Sequence, residues 1–179
     1  MNKNKELLPY YQRAREVLNY DPETGVFTWK DNKKGRGFQY KKGNIAGTIN
    51  KTGYRRIRST VNCVSRSLQA HRISWFIYYN ELPPDILDHA NGIKDDNRIA
   101  NLRSCTDQQN KFNTSKQRSN TSGFKGVSWH KKTKKWQSRI NLNEKQKHLG
   151  LFNCPKKASE VYEAKAKEIH KEFYNKGDQ

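Results

Sequence analysis

The segment from Leu87 to Asn110, LDHANGIKDDNRIANLRSCTDQQN, concentrates the side chains able to do chemistry. Asp88 and His89 are adjacent, a loop rich in Asn and Asp follows, Asn101 precedes a short apolar stretch, and Asn110 lies in a helix-like run. A carboxylate such as Asp88 both coordinates and neutralises a hard divalent cation. An imidazole, with a reference pKa of about 6.5, is available unprotonated to take a proton from water. An amide such as Asn110 is a weaker oxygen ligand, so a cation held by Asp88 and Asn110 awaits oxygens from a substrate phosphate. One metal ion clamping a scissile phosphate while a base activates water is the chemistry this set suits.

The surrounding chain is strongly basic. Lys and Arg number 36 against 17 acidic residues, for a net charge of +19. Such an excess repels itself in a compact state, and a nucleic-acid partner relieves that repulsion. An anionic membrane is the competing partner, but no apolar run is long enough to span a bilayer and no leader-like apolar region is expected near the start. The length suits one ordinary domain or two small ones. With a hydrophobic fraction of 32%, no single large core is expected, although four Trp, nine Tyr and seven Phe can fill small ones. Cys63, Cys105 and Cys154 are far apart, odd in number and form no CxxC pair. Neither a disulfide scaffold nor a zinc knuckle is indicated, and a reducing intracellular setting fits.

The elements that must position the chemistry follow from pattern. Asp88 and His89 come after Ile86-Leu87, on or at the end of a strand. Adjacent strand residues point to opposite sides, and twist at a strand end can bring both near one cavity. Asn91 to Arg98 is a loop, with Asp95 to Asn97 read as turn alone. Asn101 to Cys105 returns as a second strand, and Thr106 caps a helix reaching Asn110. Upstream, residues 7–19 read as a helix begun near Pro9, DPETG as a turn and VFTWK as a strand. Lys30 to Lys42 reads as a charged loop, and AGTINKTGYRRIRS as a hairpin turning at Asn50 to Gly53. Its alternation sets Tyr54, Arg56 and Arg58 apart from Arg55 and Ile57, too mixed to assign a contact face. Residues 70–79 form an apolar helix stopped by Asn80 and LPPD. His71, at its start, reads as structural, with phosphate contact as the alternative.

Residues 111–122 are polar and turn-rich, a boundary and linker. FKGVSWH, WQSRINL and QKHLGLF then read as three strands, followed by a helix from Pro155. Ala158, Val161, Tyr162, Ala164, Ala166, Ile169 and Phe173 form its apolar face. Three antiparallel strands and one covering helix can share one core. In WQSRI, alternation sets Trp136, Ser138 and Ile140 against Gln137 and Arg139, leaving a polar, basic face able to sit in a DNA major groove. Lys132, Lys134, Lys135 and Lys147, with Lys125, are expected at phosphates, an ordinary solvated hairpin being the alternative.

The run DHANGIKDDNRIANLRSCTDQQN resembles the core motif of HNH endonucleases of the phage and intron-encoded homing type, and HRISWFIYYNELPP resembles the lead-in to it. The resemblance covers roughly residues 20 to 115. It implies His89 as general base, Asn101 as the residue that tethers the loop and orients the histidine, and Asp88 with Asn110 as ligands of one Mg²⁺ or Mn²⁺ ion. Asn110 stands where many members carry His. The resemblance also implies phosphodiester hydrolysis leaving a 5′-phosphate and a 3′-hydroxyl. With one motif per chain, a monomer is expected to nick one strand. GVSWHKKTKKWQSRI, HLGLF and KKASEVYEAKAKEIHKEF resemble an AP2-type DNA-binding domain over about residues 123 to 173. Trp136 and Arg139 match its central strand, Leu149, Gly150 and Phe152 the close of its third. Lys125 and Ser128 stand where arginines are usual.

The expected fold is therefore α+β. A β-rich basic region (residues 1–69) packs on an HNH ββα-metal nuclease core (70–113), and a linker (114–122) leads to an AP2-like three-stranded antiparallel sheet packed on one helix (123–175). The expected function is a metal-dependent endonuclease acting on double-stranded DNA in the cytoplasm of a prokaryotic or phage-infected cell, needing no membrane and no protein partner. Arg98 and Arg103 are candidate phosphate clamps, Arg103 being alternatively the partner of an acidic residue. The rival reading is a non-catalytic, sequence-specific DNA-binding regulator using the C-terminal sheet. RNA binding is less favoured, because the aromatic stacking signature of RNA readers is missing.

Overall fold

The computed structural model describes residues 3–35, 38–114, 116, 119–142 and 145–175. The chain forms two compact units, Met1–Ser104 and Cys105–Gln179.

In the first unit, α1 (Lys3–Glu6) precedes α2 (Leu8–Val17), which carries Pro9 in its first turn, where a missing N–H costs nothing. The chain runs on into β1 (Leu18–Tyr20), paired antiparallel with β2 (Phe27–Trp29). The connecting turn is built on Asp21, whose carboxylate accepts from Glu23 N and Thr24 Oγ1. Lys30 to Lys42, expected as a loop, contains the antiparallel pair β3 (Lys33–Gly35) and β4 (Phe38–Tyr40). A three-stranded sheet follows in the order β5 (Thr48–Ile49), β6 (Arg55–Val61), β7 (Val64–Gln69). The turn at Asn50 is held by its side-chain oxygen, which accepts from Thr52 N and Tyr54 N.

Strand β7 is absent from the expectation for two reasons. VSRSLQ buries only Leu68 fully, so it lacks a hydrophobic run. Its hairpin also turns on Asn62 and Cys63, both at positive φ, and Asn-Cys advertises a tight turn far less than Asn-Gly does. Helix α3 (Ala70–Tyr79) stands where expected and ends at Asn80 in the left-handed region. Tyr11, Ala14, Leu18, Phe27, Trp29, Ala46, Ile57, Leu68, Ala70, Ile73 and Phe76 form the core. Against it stands a small antiparallel pair, β8 (Leu87–His89) and β9 (Leu102–Ser104), preceded at β9 by the 3-10 turn Ile99–Asn101.

The second unit opens with α4 (Asp107–Phe112), started by a complete capping box between Thr106 and Gln109. Strands β10 (Val127–His130), β11 (Lys135–Leu142) and β12 (Lys145–Phe152) form an antiparallel sheet in that order. Helix α5 (Pro155–His170) and the 3-10 turn Lys171–Phe173 complete the unit. Ile140, Tyr162 and Ala166 are its buried centre. A Cβ on Gly126, at φ +73°, would lie 2.1 Å from the Tyr162 ring, so β10 can approach α5 only through glycine here.

Two expectations for this unit are corrected. On α5 the buried residues are Ala158, Ser159, Tyr162, Ala166 and His170, with Ile169 packed against the core, while Val161 and Ala164 are exposed. On β11, Gln137, expected on the open polar face, is buried as Ser138 is, its Nε2 donating to Ser128 Oγ; the register against β12 shifts between Ser138 and Arg139, where Leu149 is the extra residue.

Candidate active site

All three residues of β8 are buried, with Asp88 6% and His89 4% exposed. Asp88 faces Arg103 across the β8–β9 pair. Arg103 Nε and Nη2 both donate to Asp88 Oδ2, at 2.9 and 2.8 Å. Of the two roles open to Arg103, the structure displays partnership with this carboxylate. A charge this deeply buried needs such a partner.

The loop between the strands is tied from within. Asn101 Oδ1 accepts from Asn91 N at 3.0 Å, its Nδ2 donates to Asp96 O at 2.8 Å, and its carbonyl accepts from Ala90 N at 2.8 Å. One side chain thus joins both arms of the loop. Asp96 is held by Arg98, whose Nε donates to it at 2.8 Å, and by Asn91 Nδ2. The Arg98 hydrogen bonds are the main reason its carboxyl is lowered to about 2. Arg98 itself is half exposed with its guanidinium engaged in this pair.

Asp95 does more than turn the chain. Arg55 Nε and Nη2 bind its two carboxylate oxygens at 2.9 and 2.8 Å, cross-linking β6 to the loop. Asn97, 1% exposed, donates through Nδ2 to Asp95 O, and its carbonyl accepts from the Tyr20 hydroxyl. A Cβ on Gly25, at φ +72°, would come within 2.5 Å of Arg98 N, so the β1–β2 turn lies directly against the same loop. The one sequence signal for this cross-link was Arg55 sharing the face of Ile57. A guanidinium on an inward face implies an acid opposite it.

His89 sits in a group of rings. Its centroid lies 4.9 Å from that of His71 at an interplanar angle of 78°, and Tyr54 lies 5.5 Å from His71 and 5.9 Å from His89. Lys94 covers Tyr54 from 5.2 Å while donating to Thr52 O. Burial lowers the His89 pKa, opposed by Asp88 and then by Asn97, Asp96 and Asp95. The imidazole is therefore neutral at neutral pH and able to accept a proton. His71 is pushed down to about 3, by burial first and by His89 second. Sequence reasoning left His71 outside the site because a histidine beginning an apolar helix carries no mark of what it will face.

The remaining expected residues lie in the second unit. Asn110 is exposed on α4. Lys125, expected at phosphates, turns inward: its Nζ donates to Phe112 O at 2.7 Å and Asn175 O at 3.1 Å, and burial lowers its pKa to about 8. Lys132, Lys134, Lys135 and Lys147 are exposed. Trp136 packs edge-on against Trp129, its register partner, at 5.0 Å. Arg139 donates to Gln146 Oε1 at 2.6 Å and to Ser128 Oγ at 3.4 Å, which also accepts from Gln137 Nε2. Among the described residues no group of three or more His, Cys, Asp or Glu could hold a metal ion, and no helix is long and apolar enough to cross a membrane.

Residues 68–112 match the family model described as HNH endonuclease, so this stretch resembles the domain of that family. Over 87 residues the chain is 29% identical to Protein 3.8 of Escherichia phage T7, covering 49% of this chain and 71% of that one. A solved structure of DNA binding and cleavage by the HNH homing endonuclease I-HmuI is 26% identical, with a TM-score of 0.38, and covers 52% of this chain. The chain spans about half of that protein, at 49%.

Proposed function

We propose that this protein is a metal-dependent DNA endonuclease of the homing type, hydrolysing a phosphodiester in duplex DNA to a 5′-phosphate and a 3′-hydroxyl. The observation that carries the reading is the buried Asp88-His89 pair on β8, inside the stretch that matches the HNH endonuclease model. His89, kept neutral by burial, takes the proton of the attacking water. Asn101 holds the loop that frames it. Asp88 and Asn110 are the proposed ligands of one Mg²⁺ or Mn²⁺ ion. Oxygen donors of this kind suit a hard cation that keeps several waters. Such an ion, when bound, neutralises charge at the scissile phosphate and on the leaving 3′ oxygen. Arg103, which donates twice to Asp88 Oδ2, would compete with such an ion for that carboxylate.

The C-terminal sheet is proposed as an AP2-like module that holds the duplex, with Lys132, Lys134, Lys135 and Lys147 at phosphates and Trp136 and Arg139 on the bases. With one HNH domain per chain, a monomer nicks one strand, in the cytoplasm where the DNA is. Plasmid relaxation with Mg²⁺ tests the catalytic part. His89→Ala and Asp88→Ala are each expected to slow nicking by at least about a hundredfold, and full-rate cleavage by either variant sinks the assigned site. The second reading, a non-catalytic DNA-binding regulator, is favoured by the exposed basic sheet alone; it predicts tight duplex binding with no nicking under any divalent ion.

A further inference from the structure

His71 begins α3 inside the core yet carries a polar ring. It is 4% exposed, and its Nδ1 is buried with no hydrogen-bond partner among the described residues. Leaving such an atom unsatisfied is unfavourable, a cost that Phe or Leu at the same place would not incur. Buried polar atoms are almost always paired, so an orphan in a native core calls for a role. Its neighbour supplies one. The His71 ring meets the His89 ring nearly perpendicularly at 4.9 Å, and Tyr54 closes on both. Because α3 is anchored in the core through Ala70, Ile73 and Phe76, His71 is a fixed wall rather than a mobile one.

We infer that His71 is a positioning residue of the nuclease site: its ring sets the plane of His89, and its Nδ1 is completed by a water that enters with the DNA. This rests on His89 as the base. The imidazole combines a flat wall with a hydrogen-bonding edge.

The experiment compares His71→Phe, which keeps a flat ring and deletes Nδ1, with His71→Asn, whose amide keeps a polar atom near that position. Steady-state nicking of plasmid in Mg²⁺ and thermal melting are measured for both. For His71→Phe a melting temperature at or above wild type is expected, with kcat down at least about tenfold and KM within about twofold. His71→Asn is expected to recover part of kcat despite melting lower. Full kcat in His71→Phe overturns the proposal, as does a kcat that merely tracks melting temperature across the two. Should His71→Phe not fold, His71→Leu is compared with His71→Asn at temperatures equally far below their melts, and equal rates overturn it. His89→Ala separates the two levels. If that variant retains full rate, the base assignment fails and this role with it; if it is inactive while His71→Phe is not, only the role of His71 fails.

Discussion

Between β8 and β9, Asn91, Asp95, Asp96, Asn97 and Asn101 bond to one another, to the main chain and to Arg55 and Arg98. On β10 to β12 the polar residues divide differently. Ser128, Gln137, Arg139 and Gln146 bond side chain to side chain, while Lys132, Lys134, Lys135 and Lys147 stand exposed. Both regions are polar and both are read as facing DNA, yet one uses polarity to hold its own geometry and the other leaves charge available to a partner. The difference matches two tasks. Chemistry needs groups held to within a fraction of an ångström, which a satisfied, partly buried network provides. Holding a duplex needs neutralised phosphates, which mobile lysines supply without fixed geometry.

The comparison can be broken in four further ways. The largest effect is expected from Asn101→Ala, which strands Asn91 N and Asp96 O together. A loss of roughly 2–3 kcal/mol is predicted, seen as a lower urea midpoint for the first unit; an unchanged midpoint would mean the loop holds itself without this side chain. In the other region, replacing one of Lys132, Lys134 or Lys147 with Gln should leave melting unchanged and reduce the slope of log affinity against log salt by about 0.9 if that lysine neutralises a phosphate. Titrating duplex DNA at several salt concentrations reads it, and an unaltered slope assigns that lysine to solvent.

A smaller effect concerns the shared carboxylate. Arg103→Gln removes the cation that competes for Asp88, so Mn²⁺ should bind several-fold more tightly, measurable by calorimetry or by the spectrum of bound Mn²⁺; weaker binding would assign Arg103 to supporting the ion's site. The smallest is a pH effect common to both units. Burial lowers His71 to about 3 and His170 to about 4, below the ordinary 6.5. In each case the unfolded chain binds the extra proton first. The stability contributed is complete above about pH 6.5 and declines as pH falls toward the folded values. Melts from pH 7 to 4 should show His71→Phe flattening the acid slope of the first unit and His170→Phe that of the second. An unchanged slope in either variant would locate the acid sensitivity elsewhere.

Much of this architecture was legible in residue order. Helix α3 is an apolar run closed by LPPD, α5 began at Pro155, and Thr106 announced the start of α4, because caps and prolines act locally. The Asp-His pair and the Asn residues after it were visible as a motif for the same reason, being close in sequence. What escaped was non-local. VSRSLQ became β7 because β6 offered a ladder edge and Leu68 a place in the core. Asp95 became the partner of an arginine 40 residues away. Lys125 turned inward because Phe112 and Asn175 presented two carbonyls to it. Gln137, on the face read as open, is buried with its amide bonded to Ser128 across the strands.

The sequence by itself therefore determined where α3, α4 and α5 begin, the basic character of the chain, and which short segment carries an acid beside an imidazole. These depend on neighbours a few residues apart. Only the tertiary structure decided which charges are committed to one another and which remain for a partner, and it alone set a neutral His71 beside His89. Pairing and burial are properties of surfaces brought together by folding, and they reset the chemistry of a side chain after the sequence has already been written.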